Sequence, residues 1–99
     1  MQLEDVKIIQ YDLEVAWNQQ TIITVTWIPY GDPNERPRVC VFEYHRGERR
    51  PEAVVIALLS HTWVDTREQV VGTPPEYLHE IREFAVDKSF EELNDGEDW

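Results

Sequence analysis

The chain has 99 residues, 41% of them apolar, with 20 Asp or Glu against 9 Lys or Arg and a formal net charge of −11. That length fits one core, since a chain of this size buries roughly 60 to 65% of its unfolded surface, and four Trp, four Tyr and three Phe are too much apolar surface for a disordered polypeptide. The charge disfavours direct contact with nucleic acid or anionic membranes, both of which are held by Lys and Arg, and favours a basic partner or plain solubility.

A single cysteine, Cys40, rules out an intrachain disulfide and a Cys-rich zinc site. The first residues have no basic stretch followed by an apolar one, and the longest apolar run, 53–59, is far too short to span a bilayer, so the expected compartment is the cytoplasm.

Along the chain, Ile9, Tyr11, Leu13, Val15 and Trp17 alternate with Gln10, Asp12, Glu14 and Ala16, the period of a half-buried strand, while Val6 and Ile8 hold the opposite phase and imply a bulge near Ile8. A first strand is expected over about 6–17. After the turn residues Asn18, Gln19 and Gln20 comes a β-branched run over 21–28, which should pair with it as a hairpin. The segment Tyr30-Gly31-Asp32-Pro33-Asn34 is a loop closed by Pro37, and a third strand follows over 38–45.

The turn carrying Arg46, Arg49 and Arg50 exposes cations that either meet an anion or pair with the protein's own acidic surface. Residues 53–59 are apolar at every position, which periodicity alone does not divide between strand and helix; a fourth strand is favoured, because a helix apolar all round needs complete burial. Asp65 is placed to cap a short helical turn reaching 71, with Gly72 at its end. Trp17, Trp27 and Trp63 are read as core or dimer contacts.

The strongest local signal is Thr73-Pro74-Pro75-Glu76, a capping box with Pro at the first helical position. It predicts a helix over 74–87 whose apolar side carries Tyr77, Leu78, Ile81, Phe84 and Ala85. Ser89-Phe90-Glu91-Glu92 is a second capping box, leading to a short extension and an acidic tail over 94–99. The fold expected is therefore α+β: one domain over 1–93, with an antiparallel sheet of three or four strands covered on one face by this C-terminal helix.

The helix carries the functional argument. At 100° per residue, Glu76, Glu80, Glu83 and Asp87 fall within about 60° of one another, in a stripe with neighbouring carboxylates about 5 to 6 Å apart. Continuation of the helix adds Glu91, Asp95 and Asp98 to the stripe, and Trp99 is a terminal aromatic suited to a partner's pocket. Like charges at these spacings repel by roughly 0.2 to 0.5 kcal/mol per pair, and the nearby bases Arg82 and Lys88 project elsewhere.

The expected function is that of a small acidic binding protein without enzymatic activity, cofactor or metal. As an inhibitor or decoy of phage counter-defence or immunity type, it would dock Glu76, Glu80, Glu83, Asp87, Glu91, Asp95 and Trp99 on a basic, nucleic-acid-handling surface of a partner protein. The competing reading of the stripe is a solvated face. One alternative for the whole is a structural or regulatory subunit forming a homodimer through an apolar sheet face. Another is a small enzyme or metal protein using His45, His61 or His79, although their spacing to carboxylates matches no zinc signature.

Overall fold

A computed structural model describes residues 5–18, 20–45 and 55–95, with side chains as far as 92. Four strands, β1 (Val6–Val15), β2 (Gln20–Pro29), β3 (Arg38–His45) and β4 (Ala57–Trp63), form one antiparallel sheet in the order β1-β2-β3-β4. One helix, α1 (Pro75–Asp95), packs on one face of it. This is the α+β architecture expected from the sequence.

The two phases in β1 are reconciled by a bulge. Ile8 faces Trp27 and Gln10 faces Thr26, leaving Ile9 as the extra residue, so Val6, Ile8, Tyr11 and Leu13 all reach the helix-bearing face. Ile9 is turned outward, and the strand ends at Val15 instead of continuing to residue 17. Trp17 lies in the hairpin turn, where Ala16 N–H donates to the Gln20 carbonyl at 2.9 Å, and it is 96% exposed. It is neither a strand residue nor a core one, because a two-strand hairpin turn projects its side chains beyond the helix's cover. Trp27, by contrast, is fully buried.

The loop into β3 is organised by one carboxylate. Asp32 accepts from Asn34 N–H at 3.2 Å, Arg36 N–H at 3.3 Å and Arg38 Nη1 at 3.2 Å, which satisfies backbone donors that the turn would otherwise leave open.

The fourth strand lies further along than residues 53–59. Residues 53 and 54 are outside the described chain, Val55 is exposed, and pairing with β3 runs from Ala57 to Trp63. Hydrophobicity misplaced it because the alternation that defines the strand is carried by Ser60, His61, Thr62 and Trp63. A second bulge, where Val41 faces Ser60 and Phe42 faces Leu58, leaves Leu59 unpaired and half exposed.

The helical turn expected after Asp65 is absent. The chain turns at Val64-Asp65-Thr66, Arg67 adopts a φ of 64°, and the segment folds back along β4: Glu68 O accepts from Trp63 N–H and Val70 N–H donates to His61 O, each at 2.9 Å. Backbone pairing to a strand edge satisfied more donors there than one helical turn would have.

The helix begins at Pro75, with Tyr77 N–H donating to the Pro74 carbonyl at 3.1 Å. It continues without interruption past residue 87 and through Asn94 and Asp95, both expected in the tail. Ser89 therefore starts no second helix. Its buried Oγ donates to the Val86 carbonyl at 2.8 Å, so the Tyr44 hydroxyl, 2.7 Å away, donates to it. This bond fixes the second half of the helix to β3.

Tyr77 meets Trp27 edge-on at 6.3 Å and Phe90 stacks on Tyr44 at 5.8 Å. Because Tyr44 faces Thr21, at the other end of β2 from Trp27, α1 runs antiparallel to β2. Ile23, Val25 and Phe42 share the core beneath it with Ile81, Ala85 and Val86.

Ile81 is fully buried at the centre of this contact. Replacing it with Ala should lower unfolding stability by about 2 to 5 kcal/mol through lost burial and the cavity left behind, whereas Leu59→Ala at the half-exposed bulge should cost under about 1 kcal/mol. Urea unfolding followed by Trp fluorescence measures both.

Candidate functional site

The carboxylate stripe is a property of the folded helix. Glu76, Glu83, Asp87 and Glu91 are exposed, and the unbroken helix brings Glu91 into line with the first three. Asp95 is the last helical residue, its side chain outside the described set, as is the whole of Trp99. Glu80 departs from the pattern: it is half-buried, and its Oε1 accepts from the Asp5 N–H at 3.4 Å, tying the helix to the entry of β1.

Nearby bases do little to neutralise the row. His79 Nε2 is 3.1 Å from Glu83 Oε1, an ion pair when the imidazole is protonated. Lys88 lies on the β1 side of the helix, 5.3 Å from the centre of the Tyr11 ring, and its Nζ pairs with Glu92 at 3.7 Å. Arg82 is half-buried, with Nε shut away from solvent. No base stands in the last helical turn, so Glu91 and Glu92 lie at the end where the helix dipole is unfavourable to them. Such a row offers spaced negative charge to cations. Among the described residues no group of three or more His, Cys, Asp or Glu is arranged to hold a metal ion.

The histidines lie apart. His45 is exposed at the end of β3, His79 is on the helix, and His61 is buried in β4. His61 faces Cys40 across the strands and stacks on Trp27 at 5.7 Å. Strand pairing thus sets a thiol opposite an imidazole, but their surroundings suit neither for catalysis. Burial pushes the Cys40 thiol up to about 11, and burial followed by the nearby Arg38 charge pushes His61 below its ordinary value, so both sit neutral inside the core.

Sequence reasoning missed a cluster at the opposite end of the sheet from the hairpin turn. The Trp63 ring meets two guanidiniums, Arg36 at 3.9 Å from its centre and Arg38 at 4.5 Å. Arg36 forks onto Asp65 through Nε and Nη2 at 3.1 and 3.0 Å, holding that carboxyl below its ordinary value, and Arg38 pairs with Asp32 at 3.2 Å. The signal was Arg-Pro-Arg entering a strand, since residues two apart share a face. A cleft of about 120 Å³ lined by Arg38, Trp63, Val70 and Tyr77 adjoins it, but both arginines are already matched by aspartates. Arg46, Arg49 and Arg50 lie outside the described residues.

Comparison with protein-family models, characterised proteins and solved structures finds no match.

Asp87 has Glu83 and Glu91 each four residues away. Asp87→Lys should therefore raise helix stability by about 0.8 to 2 kcal/mol at low ionic strength, by turning two repulsive pairs into attractive ones, and the gain should fade in molar salt. Thermal unfolding at two salt concentrations measures it.

The buried His61 yields a pH effect of definite sign. Its folded value lies below the ordinary 6.5, so its contribution is fully present above that pH. It is lost as the pH falls below about 6.5, where the unfolded chain takes up a proton that the folded imidazole resists. Urea midpoints compared at pH 7.5 and 5.5 should show a smaller drop for His61→Phe than for the parent chain.

Proposed function

We propose that this protein is a non-enzymatic acidic binding protein that docks the exposed side of α1 on a basic, nucleic-acid-handling surface of a partner protein, in the manner of an inhibitor or decoy. The observation that supports this most directly is the stripe itself: Glu76, Glu83, Asp87 and Glu91 stand exposed along one helix of 21 residues, while Lys88 and Arg82 are drawn to its flanks. An acidic face needed only for solubility tolerates interspersed Lys, which removes repulsion at no cost to solvation. A face that must match a row of cations does not tolerate it.

Glu83, Asp87 and Glu91 stand about 6 Å apart along a rigid rod, with Glu76 about 10 Å before Glu83; the run of three approximates the spacing of successive phosphates, so a groove lined by Lys and Arg for nucleic acid accepts the helix in its place. Docking of this kind is steered by charge and weakened by salt. Asp95 and Trp99 belong to the proposed contact on the sequence argument alone, the Asp95 side chain and the whole of Trp99 lying outside the described residues.

The test is capture of basic nucleic-acid-binding proteins from a cell extract at low and at high salt, with duplex DNA as competitor. The wild-type protein should retain such a partner at low salt and release it to DNA. The Glu83→Lys/Asp87→Lys variant should bind at least about tenfold more weakly. Undiminished capture by the folded variant removes the stripe from the interface.

A further inference from the structure

The sheet has a second face. Alternation along the strands puts Lys7, Gln10, Asp12 and Glu14 of β1 on the side away from α1, with Ile22, Thr24, Thr26 and Ile28 of β2 and Val39, Val41 and Glu43 of β3 beside them. No described helix or strand packs on that side. Its aliphatic residues are not scattered: Ile22, Ile28, Val39 and Val41 occupy the two central strands, with threonines between them. The outer strands are mainly polar on this side, with Gln10, Asp12 and Glu14 on β1 and Ser60 and Thr62 on β4, which face Val41 and Val39, interrupted by Ala57 opposite Glu43 and by the exposed bulge residues Ile9 and Leu59.

The width of this band suits one helix. Two adjacent strands with axes about 5 Å apart present a band about 10 Å wide, the breadth of one helix. Packing against a second sheet would bury the charged β1 rim as well. Along the strands, Ile22 to Ile28 covers about 20 Å, or about 13 residues of helix.

Charge narrows the occupant further. Among the described residues Asp12, Glu14 and Glu43 border one end of the band and Lys7 the other, so a second copy of this chain, itself carrying −11, would bring like charges together. We infer that the open face of the sheet is a docking surface for a basic amphipathic helix of a partner protein, whose apolar stripe covers Ile22, Val39 and Val41 and whose Lys or Arg residues meet Asp12, Glu14 and Glu43. Such a helix completes a three-layer arrangement, with the sheet covered on both faces. The inference shares with the stripe reading only the sign of the partner's charge and stands without it.

The experiment uses the full chain and three designed peptides of about 14 residues: a Leu/Lys amphipathic helix, a Leu/Glu helix of the same pattern, and a Lys/Ser peptide with no apolar stripe. Binding is followed by fluorescence anisotropy, and sedimentation equilibrium of the protein alone is measured beside it. The Leu/Lys helix should bind at least tenfold more tightly than either other peptide. Val41→Lys should weaken it at least tenfold and Asp12→Asn/Glu14→Gln several-fold, while Glu83→Lys/Asp87→Lys leaves it unchanged. Val39→Thr/Val41→Thr, which keeps β-branched residues in the strand, should reproduce the loss if Val41→Lys does not fold.

Equal affinity for the Leu/Lys and Lys/Ser peptides overturns the inference, as does binding lost only in the stripe variant, which assigns the contact to α1 instead. Self-association abolished by Val41→Lys also overturns it, by making this face the contact between two copies.

Discussion

The rest of the molecule depends on the contact between α1 and the middle of the sheet. One helix running antiparallel to β2 supplies the only described cover for the sheet's apolar face, anchored by Tyr77 against Trp27 at one end and by Phe90 and Ser89 against Tyr44 at the other. Because both ends are held, the helix has a fixed rotation about its axis. That rotation decides which residues are surface: with Ile81 and Ala85 turned to the sheet, the residues on the far side are the carboxylates. The stripe is a consequence of core packing as much as of sequence spacing.

The same contact creates the asymmetry of the sheet. A helix of 21 residues packs on one face, and among the described residues no helix or strand covers the other. On that other face the central strands carry Ile and Val where a fully solvated antiparallel sheet presents mainly polar residues. The two surfaces differ in kind. The helix side is charged and rigid, suited to long-range steering, and the sheet side is a narrow apolar band with acidic borders, suited to desolvated contact. At both the proposed partner is basic, but salt would separate them, since apolar burial persists where screened charge does not.

How much of this was legible depended on whether a local pattern carried the information. The hairpin, the third strand and the apolar side of α1 follow from alternation and from the 3.6-residue period, and the bulge was readable because Val6 and Ile8 break phase with Tyr11 and Leu13. The fourth strand was misplaced because 53–59 is uniform in hydrophobicity and carries no phase. Trp17 was misjudged because alternation continues through Ala16 while the pairing stops at Val15. Ser89 reads as a helix start in one dimension, and only its bond with Tyr44, 45 residues away, makes a mid-helix serine useful. Within the candidate site, exposure of Glu76, Glu83, Asp87 and Glu91 agrees with the spacing argument. The partial burial of Glu80 was beyond reach, since it depends on where the entry to β1 passes.

The energetic balance explains why the carboxylates can stand together. Each adjacent pair costs roughly 0.2 to 0.5 kcal/mol, or about 1 kcal/mol for the three pairs from Glu76 to Asp87. Burial of a single large apolar side chain contributes about 1.5 to 3 kcal/mol, and α1 buries Ile81, Val86 and Phe90 on its other side. The repulsion is thus small beside the anchorage, but it acts on the helix only, so the same segment excised as a peptide has the repulsion without the compensation. Most of the stability of a helix in a folded protein comes from tertiary packing of its apolar face, and the excised segment has none. The ordered stripe therefore exists only while the sheet holds the helix, and whatever binds it recognises the folded domain and not the acidic sequence.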